Sequence, residues 1–231
     1  MFRALDLKTG AEVWSHAGIE GFVECRAYVD AEQVVFGSWA GRLYSLDTRS
    51  GSLQWTWKCD KPSRMYSPAA TWPVKACGRI FIAVPDRKVY ALDAASGRQL
   101  FRVDGGREAI GLSSDGGIVL AKTMHNRSYA FRADVPVPEG TEELPEEALL
   151  WKVANGMHYE IGPTALLETD GMVLTPSDKG NLHAYSLADG SLLWCHKLSP
   201  ALVNPIETWK KGGDMYILAS TMDGVVSLLK L

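Results

Sequence analysis

Paired cysteines are missing from this 231-residue chain. Its four, Cys25, Cys59, Cys77 and Cys195, form no CxxC pair, so neither a zinc site nor the disulfide framework of a small secreted domain is expected. Scattered thiols of this kind read as core residues. No apolar run approaches the ~18 to 20 residues that a membrane-crossing helix requires. A signal peptide is missing as well, because Met1 to Asp6 already lie inside a repeated motif. The compartment therefore stays open: either the chain is cytoplasmic or its true N-terminus lies upstream. Positive charge is not in excess. The net charge is −3, with Lys and Arg scattered singly, so no basic face for a nucleic acid is expected. With 46% hydrophobic and 22% charged residues, the chain has apolar side chains enough for one substantial core or one repeat array.

What the chain does have is an internal repeat. Ala4-Leu5-Asp6-Leu7-Lys8-Thr9-Gly10-Ala11-Glu12-Val13-Trp14 returns with Ser45, Asp47, Gly51 and Trp55 at the same offsets, then with Ala91, Asp93, Gly97 and Phe101. Ala184, Gly190 and Trp194 keep the register later, with Ser186 in place of the Asp. One copy is split, beginning at Tyr129-Ala130-Phe131 and ending at Leu149-Leu150-Trp151. The aromatic markers Trp14, Trp55, Phe101, Trp151 and Trp194 recur at roughly 40 to 50 residues, the period of propeller blades and some other arrays. An apolar run, Asp-x-x-x-Gly and a second run ending in an aromatic is a hairpin: the Asp bonds turn amides and the Gly takes positive φ. A small residue beside a large aromatic implies packing between repeats, so these five aromatics are read as structural docking residues.

Short strands at 8 to 12 residue intervals, joined by Gly and Asp turns, give an all-β reading. The divisions are a partial blade at 2–16, blades at 21–58, 65–103, 107–153 and 158–198, and a partial blade at 201–231. In the second blade Asp86-Arg87 replaces the turn glycine. Residues 133–148 depart from the pattern, with Pro136, Pro138 and Pro145 among five glutamates. Proline denies ladder hydrogen bonds and like charges repel, so this insertion is expected to be a solvated excursion between the two outer strands, with an acidic docking site as the alternative.

The repeat closely resembles the tryptophan-docking motif of quinoprotein-type β-propellers, a superfamily that includes pyrroloquinoline quinone (PQQ) dehydrogenases and the non-catalytic propeller of the outer-membrane assembly machinery. The resemblance covers nearly the whole chain and implies a β-propeller of four-stranded blades, about five of them represented; by family habit it implies a periplasmic or cell-envelope setting. Both ends fall in mid-blade. One terminus could complete the blade of the other in a five-bladed ring, but Phe2 to Leu5 would duplicate a strand, so a fragment of a larger propeller is expected. A narrower resemblance, at residues 65–73, 107–113 and 121–124, is to the propeller attached to calcineurin-like metallophosphoesterases of bacterial exported proteins. The Asp-x-His, Gly-Asp-x-x-Asp and Asn-His-Glu motifs of that enzyme do not occur in this chain, which would be its accessory half.

Function is expected where the innermost strands meet at a central channel. Polar residues recur at that point: Glu24 and Arg26; Tyr66 and Ser67; Arg107 and Glu108; His158, Tyr159 and Glu160; and Asn204. Charges beside a crowded axis are costly unless paired or solvated, so they form either a ligand-facing ring or a mutually neutralising one. Catalytic signals are thin. The dehydrogenases hold their quinone between a Trp and a vicinal disulfide, beside calcium and an Asp base. Here there is no Cys-Cys, and Trp39 or Trp72 is the one point of likeness. Ser113, Ser177 and the five His lack the spacing of a nucleophilic triad, and Asp178-Lys179-Gly180 and Asp223-Gly224 lack the later acidic ligands of a calcium loop. The expectation is a non-enzymatic binding scaffold with no metal and no cofactor, its partner a protein, a linked catalytic domain or a small channel ligand. The alternatives are an accessory hydrolase domain and a PQQ-dependent dehydrogenase fragment.

Overall fold

The computed structural model describes residues 1–58, 71–84, 87–138, 142–162 and 164–231, except 105–108. Every sheet is an antiparallel meander. A two-stranded sheet, β1 (Phe2–Leu5) and β2 (Glu12–His16), comes first. Four four-stranded blades follow. Blade 1 is β3 (Tyr28–Val29), β4 (Gln33–Ser38), β5 (Arg42–Asp47) and β6 (Leu53–Lys58). Blade 2 is β7 (Val74–Ala76), β8 (Arg79–Val84), β9 (Lys88–Asp93) and β10 (Gln99–Asp104). Blade 3 is β11 (Ala109–Leu112), β12 (Ile118–Lys122), β13 (His125–Arg132) and β14 (Leu149–Tyr159). Blade 4 is β15 (Leu167–Thr169), β16 (Met172–Pro176), β17 (Asn181–Ser186) and β18 (Leu192–Lys197). A three-stranded sheet ends the array: β19 (Glu207–Lys211), β20 (Asp214–Ser220) and β21 (Val226–Lys230). Among the described residues, the first and last sheets do not pair, which fits a partial propeller rather than a five-bladed ring.

The hairpin chemistry follows from the repeat. Asp47 Oδ1 accepts from the Arg49 amide, the Ser50 amide and the Ser50 hydroxyl, and Asp6 does the same with Lys8 and Thr9. These bonds, that of the Ser50 hydroxyl foremost, hold the Asp47 carboxyl below its ordinary pKa. The glycine that closes each turn sits at φ +70° in both Gly51 and Gly97, where a side chain is strained. Arg87 takes φ +68° in the turn that lacks its glycine.

The docking aromatics lie in the seams between blades. Each stands opposite a small residue across its hairpin: Ala4↔Trp14, Ser45↔Trp55, Ala130↔Trp151 and Ala184↔Trp194 in register, with Phe101 opposite Ala91. The small partner leaves the ring free to lean onto the next blade. The Trp55 indole covers Gly97 so closely that a Cβ there would come within 2.6 Å of the ring. Trp14 covers Gly51 and Trp151 covers Gly190 in the same way. Each indole N–H then donates to the carbonyl that follows the Asp position: Trp14 to Thr48, Trp55 to Ala94 and Trp151 to Leu187, at 2.8 to 2.9 Å. Phe101 has no such donor. The Arg79 guanidinium takes over, donating to the Ala133 and Val135 carbonyls at 2.6 and 2.7 Å with its charge over the Phe101 ring. Trp194 is half-buried against Leu174, Leu182 and Ile217.

Two details differ from the sequence reading. The last innermost strand is Glu207–Lys211 and begins past Asn204, because Pro205 has no amide to give and the Gly212-Gly213 turn sets the hairpin with β20. The 133–148 insertion is held at several points rather than left free. Val135 and Ala148 are buried, a short 3-10 turn spans Glu146–Ala148, and Glu143 makes a parallel bridge to Arg102. Glu142, Glu143, Glu146 and Glu147 remain exposed while the backbone on either side of them docks.

Candidate functional site

The innermost strands of the four blades and of the last sheet converge on one cavity of about 410 Å³. Its wall is built from Arg26 to Val29, Trp72 to Val74, Ile110 to Leu112, Ala165 to Leu167 and Pro205 to Glu207. Tyr28, Val74, Gly111 and Leu167 are equivalent positions, each facing the third residue of its neighbouring strand, while Glu207 of the last sheet faces the fifth, Leu218. Gly111 is required there by close approach, since a Cβ would strike the Leu166 carbonyl. Apolar side chains dominate the wall, and Arg26 and Glu207 supply its charges. The Arg26 guanidinium lies over the Trp72 ring, 5.6 Å from its centre, a cation–π contact. Beneath Tyr28, Asp30 bonds the Lys75 ammonium at 2.6 Å across the seam between blades 1 and 2. Burial works to raise the Asp30 pKa, but Lys75, two backbone amides and the Tyr28 hydroxyl bring it down to about 2. Burial and that carboxylate push the Tyr28 phenol up to about 12.

The residues singled out by the sequence fall in several places. Arg26 lines the cavity, and Glu24, exposed two residues before it, accepts from the Trp39 indole at 2.8 Å. Asn204 sits one residue before the wall and donates to the Ser220 hydroxyl. Tyr159 ends β14, the outermost strand of blade 3, paired with His125, and is exposed. Glu160 is buried in the seam between blades 3 and 4. Tyr66, Ser67, Arg107 and Glu108 lie outside the described residues, as does Cys59.

The Glu160 seam forms a second polar centre. Glu160 lies 3.5 Å from the equally buried Lys122 ammonium, and accepts from the Ser177 hydroxyl at 2.6 Å and the Asp178 amide at 2.9 Å. Lys122 also donates to the Pro176 carbonyl, while Lys179 approaches Glu160 from the exposed side. Burial alone would raise the Glu160 pKa, yet Ser177, Asp178 and Lys122 together lower it. Burial raises that of Asp178, with the Glu160 charge adding to it, and burial lowers that of His183. Lys122 stands where the other blades have Gly37, Ala83 and Pro176, and His183 where they have Tyr44, Tyr90 and Tyr129. Aligning the repeats strand by strand is the signal that exposes this centre; composition does not.

The quinone arrangement does not fit this chain. No two cysteines are adjacent in the sequence, and the wall beside Trp72 offers a single carboxylate, Glu207. Among the described residues no three His, Cys, Asp or Glu side chains gather as metal ligands.

Comparison with known proteins gives a family and a fold. Residues 2–134 match the family model described as outer membrane protein assembly factor BamB. A stretch of 107 residues is 33% identical to the serine/threonine-protein kinase AfsK of Streptomyces griseus, spanning 44% of this chain and 13% of that kinase. Among solved structures, the computationally designed Ika8 protein superposes with a TM-score of 0.61 at 15% identity, over 99% of this chain and 77% of the other. BamB from Moraxella catarrhalis matches at a TM-score of 0.48 and 14% identity, over 95% and 86% of the two chains.

Proposed function

The chain belongs to the PQQ-type propeller family described as outer membrane protein assembly factor BamB, and from that premise we propose that it is a non-enzymatic scaffold that binds a partner at the mouth of its channel. The observation that carries this reading is the convergence of five innermost strands on one cavity with an exposed Arg26 at its wall. A concave, mostly apolar cavity with a few polar groups on its wall is the usual form of a binding site. Glu24, Arg26, Tyr66, Ser67, Arg107, Glu108 and Asn204 are the proposed contact set, with a protein or a small channel ligand as the bound species; Glu160, buried in its seam, and Tyr159, on an outermost strand, drop out of it. The compartment proposed with it is the periplasm or cell envelope.

The test places a photo-crosslinking amino acid at position 24, and a control at Gln54 on the outer strand of blade 1. Adducts to a protein from position 24 alone support the scaffold, and Arg26→Glu should abolish them without lowering the melting temperature. Quinone-dependent reduction of an artificial acceptor, with PQQ and calcium added, would overturn the non-enzymatic reading.

A second reading is favoured by the kinase match, in which related repeats occupy a small share of a longer catalytic polypeptide. On that reading the propeller is an accessory domain, of a hydrolase such as a metallophosphoesterase or of another enzyme. The coding sequence on either side of this chain decides it, since a catalytic domain would be legible there.

A further inference from the structure

Among the described residues, the acidic insertion alone pairs in parallel with the outer edge of a blade. The Arg102 amide donates to the Glu142 carbonyl at 2.8 Å and the Leu144 amide donates to the Arg102 carbonyl at 3.0 Å, so residues 142–144 run parallel to β10 along the outer edge of blade 2. Arg102 is free to do this because it faces Tyr90 across the hairpin as a pair whose own backbone groups point outward. Its guanidinium then binds both acids, Glu143 at 2.7 Å and Glu142 at 3.3 Å. Leu144 packs inward on the blade 2–3 core. A space of about 250 Å³ remains beside it, walled by Val103, Tyr129, Leu149 and Lys152. Among the described residues, no segment covers the matching edges of β6, β14 or β18.

The hold on 142–144 is light and local. Its ion pairs are exposed, with Glu142 and Glu143 side chains 69% and 52% accessible, and exposed pairs contribute little. The two ends of the excursion are fixed independently. Arg79 holds the Ala133 and Val135 carbonyls, and Val135 and Ala148 are buried. Residues 142–144 can therefore leave the β10 edge while the ends of the loop stay in place.

We propose that the outer edge of β10 is a strand-addition site for an extended acidic segment of a partner protein, and that Glu142-Glu143-Leu144 occupies it as an internal surrogate. The partner's chemistry is that of the surrogate: two consecutive acids for Arg102, then an apolar residue for the pocket beside Val103 and Leu149. Strand addition supplies affinity through the backbone and specificity through such alternating pockets. A tethered surrogate competes at millimolar effective concentration, so the site is held shut until a matching segment is abundant or better fitted. This rests on the scaffold reading but uses a different surface from the channel mouth.

The test titrates a labelled peptide, Thr-Glu-Glu-Leu-Pro-Glu-Glu, into the full chain by fluorescence anisotropy. The double variant Glu142→Lys/Glu143→Lys sets like charges against Arg102 and should release the surrogate, so the peptide should bind it about tenfold or more tightly than the wild type. Adding Arg102→Glu should abolish that binding, whereas Arg102→Glu alone, whose native Glu142 and Glu143 are then repelled from the edge, should take a Lys-Lys version of the peptide instead. Equal binding by wild type and double variant, no binding by either, or binding indifferent to Arg102→Glu would each overturn the proposal. Melting curves confirm that the variants fold, and slowed hydrogen exchange at the Arg102 amide on peptide addition reports strand pairing directly. Crosslinking from position 24 does not depend on β10, so the scaffold reading stands or falls separately.

Discussion

The seam between blades 1 and 2 and the seam between blades 3 and 4 are built on the same repeat yet close by different chemistry. At their outer halves they match: Trp55 on Gly97 in one, Trp151 on Gly190 in the other. Further in they part. Leu43, Ile82 and Tyr90 line the first with apolar side chains, leaving the part-exposed Asp30–Lys75 pair as its ionic contact, whereas Lys122, Glu160, Thr175 and His183 put buried charge and hydroxyl into the second. The outer half is thus a staple set by the repeat, and individuality is confined to the inner half, nearer the axis. The seam between blades 2 and 3 shows how tightly the staple is conserved in chemistry: when Trp becomes Phe101, Arg79 reaches across to bond the carbonyl that an indole bonds elsewhere.

The sharpest break of this comparison is Trp55→Ala. Removing that indole empties an apolar seam and leaves the Ala94 carbonyl without its donor, a loss of about 3 to 5 kcal/mol. Trp194→Ala, at a half-buried ring, should lose clearly less. Denaturant melts of the two variants give the contrast, and equal losses would mean that the seams are not what the aromatic staples.

In the polar seam the corresponding change is Glu160→Gln. It leaves the Lys122 ammonium buried without its countercharge, at a loss of about 3 kcal/mol or somewhat more near neutral pH. The pH dependence has a definite sign. The folded Glu160 pKa is lowered, so its contribution is present above the unfolded carboxylate value of about 4.3 and is lost as pH falls. The lowered His183 pKa acts in the same direction, its contribution present above about 6.5. Asp178, raised, acts in the opposite one, since its contribution is lost as pH rises. Urea melts at pH 7 and pH 3.5 should show the gap between wild type and Glu160→Gln narrowing in acid. A gap that keeps its size would remove the ion pair as the cause.

Arg79→Ala should be milder, about 1 to 3 kcal/mol for carbonyls that lose their donor. It should also loosen the root of the insertion. Hydrogen exchange at the Leu144 amide checks this, with faster exchange expected in the variant. The smallest change is expected from Lys75→Met, which removes the partner of Asp30. Because that carboxyl is lowered to about 2, its contribution is held above about 3.9 and lost between there and pH 2, so the two proteins should converge in strong acid.

Much of the fold was legible in the chain because the repeat is local. Asp47, Gly51 and Trp55 fall within nine residues, and each acts through a turn or a ring whose geometry the backbone dictates. The strand edges near the axis were less legible. The innermost strands are short and irregular, so Glu24 and Arg26 read as innermost-strand residues where only Tyr28–Val29 forms a strand. Tyr159 reads as the start of a blade and proves to end the one before, since β14 runs on to pair with His125.

By itself the sequence determined the repeat, its hairpins and the aromatic staple, all of which depend on residues near one another in the chain. The tertiary structure decided what the seams and the channel contain. Lys122 and Glu160 are 38 positions apart, Arg79 and Val135 are 56 apart, and Arg102 meets Glu143 across 41. Contacts at such separations depend on how far each blade turns relative to its neighbour, and no pattern within a single repeat carries that angle.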